Sequence, residues 1–148
     1  MMNKLVIRPL VFEDYSKWLP LWIGNNLGQR DEAVTAETWK RLCDSTNTQV
    51  NGLAAEMGGN ILGITHYILH PTTGHLNDVC YMQDVYVDPK HRRKGVAKRM
   101  VEELTKIARR EEWARMYWLT QHGNDEAKAM YENFGIKLDF SFYVLPIS

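Results

Sequence analysis

A chain of 148 residues, 45% hydrophobic and 24% charged, has the size and composition of one globular domain, 1–148, and excludes a disordered or fibrous polymer. Eighteen Lys and Arg balance eighteen Asp and Glu, so a surface given over to nucleic acid or anionic lipid is not expected. Cys43 and Cys80 match no metal or redox spacing, Leu5-Val6-Ile7 is too short for a signal peptide, and no stretch approaches the roughly 20 apolar residues of a membrane span, so a cytoplasmic protein with free thiols is expected.

Leu5-Val6-Ile7, halted by Pro9, predicts a short first strand. Val11, Tyr15, Trp18, Leu19 and Trp22 recur at helical spacing, with Pro20 set to kink or shorten that helix. A polar loop is expected over 24–31, then a second helix over Ala33–Leu42 that carries Trp39. A strand-rich block follows: Val50–Met57, a hairpin-type turn at Gly58-Gly59-Asn60, Ile61–His70, and Val79–Val87 halted by Asp88-Pro89. That order suggests an antiparallel meander. Val96, Met100, Val101, Leu104 and Ile107 then share one face of the clearest amphipathic helix in the chain. Met116–Thr120 predicts a strand joined to Val79–Val87 by that helix, with local parallel pairing. Asn124 is placed to cap a last helix whose apolar face holds Ala127, Met130, Tyr131 and Phe134; Gly135 ends it, and Leu138–Leu145 predicts a final strand. The fold class is α+β.

The segment that carries chemistry is Asp84-Val85-Tyr86-Val87-Asp88-Pro89-Lys90-His91-Arg92-Arg93-Lys94-Gly95-Val96-Ala97. A strand runs into a loop, and the loop opens a helix. Lys90 to Arg99 holds six of the eighteen Lys and Arg, while Gly95 and Ala97 stay small where the helix begins. The first amides of a helix have no internal partners and sit at the positive end of its dipole, so this arrangement suits a phosphate. A solvated, charged helix start is the plainer reading. The loop is neither a Walker A motif nor a dinucleotide fingerprint, which need further glycines.

Arg92-Arg93-Lys94-Gly95-Val96-Ala97, after the strand Val85-Tyr86-Val87, resembles the signature of the GNAT superfamily of N-acetyltransferases. Asn124 to Gly135 resembles the family's second signature, and Tyr117-Trp118-Leu119-Thr120 looks most like the histone-and-polyamine acetyltransferase subgroup. The resemblance implies a single domain with a mixed, mostly antiparallel sheet of about six to seven strands, splayed at its centre and flanked by about four helices. It implies acetyl-CoA as co-substrate, with no metal. The pyrophosphate would sit on the amides from Arg93 to Lys98, and the pantetheine would run along Val85, Tyr86 and Val87. Asn124 would touch the cofactor, and Tyr131 would stand near its sulfur.

The implied reaction is direct attack of a neutral amine on the thioester. Tyr131, a phenol with a pKa of about 10, is the candidate to protonate the leaving thiolate. A backbone N–H at or near Val85 would hold the oxyanion. Asp84 is the leading candidate to bind or deprotonate the amine, and Glu13 is a second. Gln83 stands where polyamine enzymes of the subgroup carry another acid, which argues against a strongly cationic polyamine. The acceptor is a small-molecule or peptide amine. Trp18, Trp22 and Trp39 are read as core, with one of them free to wall the acceptor pocket. His66, His70 and His75 lack the acidic pair of a metal site and are read as structural or surface residues. Cys80 has no histidine motif beside it to make a nucleophile. A non-catalytic acetyl-CoA sensor is the alternative, a nucleic-acid module on Lys90 to Arg99 a third reading. A homodimer paired through Phe140 to Ile147 is an expectation only.

Overall fold

A computed structural model describes residues 4–148, which form two compact units divided after Trp118. The first unit is built on a five-stranded sheet: β1 (Val6–Pro9), β2 (Val50–Met57), β3 (Asn60–His70), β4 (Val79–Val87) and β5 (Met116–Tyr117), in that spatial order. The first four strands are antiparallel to their neighbours, and β5 runs parallel to β4. Helices α1 (Tyr15–Asn25) and α2 (Glu32–Cys43) precede the hairpins, and α3 (Val96–Arg110) joins β4 to β5.

Each face of the sheet has its own core. Trp18 and Leu21 of α1 and Trp39 of α2 pack on Ala54, Ile61 and Ile64. On the opposite face Val96 and Met100 of α3 pack on Ala55, Leu62 and Val87. Met100 and Leu104 are fully buried, and a residue of this kind contributes about 1.5–3 kcal/mol by leaving water. Gly63 is closely fitted under α3, since a Cβ there would lie 3.1 Å from Met100, 3.1 Å from the Tyr86 carbonyl and 3.2 Å from Val96.

Pro20 does not end α1, which continues to Asn25. An interior proline costs about 3 kcal/mol, but it lies on the outer face here, and burial of Trp18 and Leu21 on either side holds the turn. The expected loop over 24–31 therefore begins two residues later. β5 is also shorter than the predicted Met116–Thr120.

The second unit contains α4 (Asp125–Tyr131), capped by Asn124, whose side-chain oxygen accepts from the Ala127 N–H at 3.2 Å. The predicted strand over Leu138–Leu145 is absent, so the described residues hold five strands and four α-helices where six to seven strands were expected. Phe140, Phe142, Tyr143, Val144 and Leu145 are all exposed. Their β-propensity reports a fit to a half-buried pleated surface, and none of the described strands pairs with them.

Near the start of the sheet, Arg8 grips Asp14 through two hydrogen bonds of 2.8 and 2.9 Å and also bonds Glu56 of β2. The Val11 N–H donates to the same Asp14 carboxylate at 2.8 Å. The Arg8 bonds outweigh burial and hold the Asp14 carboxyl below its usual range. We predict that Asp14→Asn costs about 3 kcal/mol at neutral pH, the low end for a buried pair because Arg8 is partly exposed. The carboxylate's contribution is complete above its unfolded pKa of about 3.9 and fades as pH falls through the lower folded value. Urea unfolding should therefore separate the two proteins at pH 6 and bring them together towards pH 2.

Candidate active site

The β3–β4 ladder pairs Val87, Tyr86, Val85 and Asp84 with Gly63, Ile64, Thr65 and His66, then steps from Tyr67 directly to Met82. Gln83 is the extra residue of a β-bulge, and it is exposed. Asp84 and Tyr86 consequently face α1, while Val85 and Val87 face α3. On its other edge β4 meets β5 only through Cys80 with Met116 and Tyr81 with Tyr117. Among the described residues, no strand covers that edge from Met82 to Val87. An open edge of this kind presents main-chain groups for an added extended chain.

The open edge leads into the start of α3. Arg92 donates from Nε to the Val87 carbonyl at 3.0 Å and lies over the Tyr86 ring at 5.2 Å. Asp88 accepts from the Lys90 N–H at 3.0 Å, closing the turn. Arg93 and Gly95 both take left-handed backbone, with φ of 62° and 77°. Gly95 is the cap residue of α3 and offers no side chain to the first amides, and a Cβ built there would meet nothing within 4 Å. The helix thus opens towards free space with its first amides uncapped, under a rim of exposed Arg92, Arg93, Lys94 and Lys98. That cationic helix opening, with Val96 and Ala97 in its first turn, is of a kind that suits a phosphate.

On the face towards α1, four polar side chains form a chain. The Trp18 indole donates to His66 Nε2 at 3.0 Å, His66 Nδ1 meets Asp84 Oδ2 at 2.9 Å, and Asn25 donates to Asp84 Oδ1 at 3.1 Å. Burial pushes the Asp84 carboxyl upwards, but the His66 and Asn25 bonds outweigh it and leave the group below the usual carboxylate range. Asp84 is therefore a fixed anion at neutral pH, suited to hold an ammonium. Between the end of α1 and the start of α2 lies a cavity of about 290 Å³ lined by Trp22, Asn26, Gln29, Arg30, Asp31, Val34 and Thr35. The Trp22 ring lies 5.8 Å from His66, and its N–H donates to Thr35 at 2.8 Å.

The remaining candidates divide clearly. Trp18 and Trp39 are core, whereas Trp22 walls the cavity. Glu13 is exposed in the turn before α1, with no bond to Asp84 or His66. His70 bonds the Tyr117 hydroxyl at 2.8 Å, and His75 is exposed. Burial pushes the Cys80 thiol up to about 12, so it forms no thiolate at neutral pH. In the second unit, Tyr131 closes α4 as a half-buried phenol whose pKa burial raises, and the Asn124 oxygen is engaged in capping. His66, read from the sequence as a structural or surface residue, joins Asp84 to Trp18 of α1, beside the direct bond from Asn25. Its strand alternation with Ile64 and Ile68 was the available signal.

The chain matches the acetyltransferase (GNAT) family over residues 11–136 and belongs to it. It is an N-acetyltransferase, and enzymes of this family draw their acetyl group from acetyl-CoA. It is 29% identical over 145 residues to the D-amino-acid N-acetyltransferase HPA3 of Saccharomyces cerevisiae, covering 95% of this chain and 90% of that protein. It is also 29% identical over 98 residues to the thialysine N-epsilon-acetyltransferase of Caenorhabditis elegans, covering 66% and 59% of the two chains. An aminoglycoside N-acetyltransferase solved in complex with CoA shares the fold, with a TM-score of 0.83, 16% identity, and coverage of 100% and 98%.

Gly95→Ala tests the opening of α3. The new methyl group meets open space, so its cost is conformational, about 1–2 kcal/mol for left-handed backbone. Denaturant unfolding should show that loss, and calorimetry should show weaker CoA binding as the turn relaxes.

Proposed function

We propose that this enzyme acetylates the amino group of a small amino acid or a close analogue, by direct attack in a ternary complex. The observation that carries the reading is the half-buried Asp84, held as an anion by His66 and Asn25 on the face towards α1. An amino acid brings an ammonium, and a single fixed carboxylate at Asp84 is its complement. The relatives named for D-amino acids and thialysine support the same class of acceptor. The likeness to the histone-and-polyamine subgroup belongs to this proposal too, with the acceptor narrowed because one carboxylate suits one ammonium better than a polycation.

Acetyl-CoA supplies the acetyl group as an activated thioester. Asp84 draws in the protonated amine and orients it; the carboxylate is too weakly basic to keep the proton, which leaves to water. A backbone N–H near Val85 receives the charge that develops on the carbonyl oxygen. Tyr131 is assigned the leaving group on the family resemblance. Burial keeps its phenol protonated at neutral pH, so it has a proton to give.

Thiol release from acetyl-CoA, measured against D- and L-amino acids, polyamines, an aminoglycoside and a peptide, tests the reading. Turnover is expected with amino acids; release with polyamines or peptides alone overturns the acceptor class, and no release with any amine overturns the activity. Asp84→Asn should raise KM for the amine about tenfold or more, the size of one lost charge-assisted hydrogen bond, with CoA affinity kept. Tyr131→Phe should lower kcat about 100-fold with little change in either KM.

A further inference from the structure

We infer that His66 is a positioning residue, fixed by the Trp18 indole as the neutral Nδ1–H imidazole that holds the Asp84 carboxylate in place for the amine. The amine's part in this rests on the proposed function, while the state of the imidazole does not.

The argument is one of donors and acceptors. An indole N–H only donates. Trp18 donates to Nε2 at 3.0 Å, so Nε2 must offer its lone pair, and the one proton of a neutral ring must sit on Nδ1. Nδ1 lies 2.9 Å from Asp84 Oδ2, so that proton points at the carboxylate. The other tautomer would set two N–H groups against each other at Trp18 and two lone pairs against each other at Asp84. A doubly protonated ring would repeat the first clash. Trp18 is itself held: it is fully buried, stacked on Trp22 at 5.2 Å and 15°, and Trp22 is anchored through Thr35. The chain of fixation runs from α2 through two tryptophans to the imidazole.

Two consequences follow. His66 has no free lone pair, so it does not serve as the base, despite its place beside the amine's anchor. Each Asp84 oxygen already accepts one bond, from His66 or from Asn25, and keeps lone pairs for an incoming ammonium. Those two donors set the direction in which the carboxylate meets its substrate.

The side-chain isosteres separate this role from simple packing. In His66→Asn the amide nitrogen occupies the place of Nδ1 and still donates to Asp84. In His66→Gln the amide reaches the place of Nε2, accepts from Trp18 and leaves Asp84 without its donor. We expect His66→Gln to raise KM for the amine roughly tenfold, with kcat and CoA affinity nearly unchanged, and His66→Asn to restore most of that loss. Equal effects in the two variants, or a loss confined to kcat, would overturn the positioning role. Imidazole nitrogen NMR of the unaltered protein, which needs neither turnover nor a variant that folds, should show one buried histidine as the pure Nδ1–H form at neutral pH. An Nε2–H form or an imidazolium at His66 would overturn the inference outright. If no amine is acetylated while the Nδ1–H form is seen, the proposed function fails and the tautomer assignment stands.

Discussion

β4 pairs with β3 along one edge from Val79 to Val87, and the first unit's site depends on that ladder. The pairing places Asp84 opposite His66 and Tyr86 opposite Ile64, so the polar anchor and the aromatic face α1 together. It turns Val85 and Val87 the other way, into the core that fixes the start of α3. Among the described strands, none pairs with the second edge of β4 beyond Tyr81. A strand with both edges filled would have no main-chain groups to offer, and a strand with neither would have no fixed position. β4 meets both demands by ending one ladder early.

Charge is distributed on the same plan. The chain is neutral overall, yet a third of its Lys and Arg gather around the opening of α3, and the half-buried carboxylate of Asp84 lies on the face towards α1. Under the proposed function, a phosphate is drawn to the first and an ammonium to the second, with β4 between them. Local potential, rather than net charge, sorts the two substrates.

Much of this was legible in the sequence because it rests on local rules. The helical period of α3, the small Gly95, the Asn124 cap and the turn at Gly58-Gly59 each report a backbone requirement that neighbouring residues settle. Asp84 stood out for its place in a recognisable segment. What stayed hidden depends on partners distant in the chain. His66 reads as an ordinary strand residue until β3 is aligned on β4 and α1 is laid over both. Leu138–Leu145 has the composition of a strand, but composition says nothing of whether a partner strand is there. Pro20 failed as a stop signal because burial of Trp18 and Leu21 outweighs the missing hydrogen bond. The phase change from Met82 to Val85 was visible as an interrupted alternation, and its meaning required the register.

That interruption gives Gln83 an unusual standing. Because it is the residue left over when Tyr67 pairs with Met82 and His66 with Asp84, deleting it would leave each of those pairs facing the same side as before. What would vanish is the bend and extra twist that a bulge imposes on its strand. The shape of the slot beside β4 is thus written in chain length and not in side-chain chemistry. A shortening by one residue reaches what no substitution at Gln83 can: a protein with every functional group retained and its strands drawn straight across the gap.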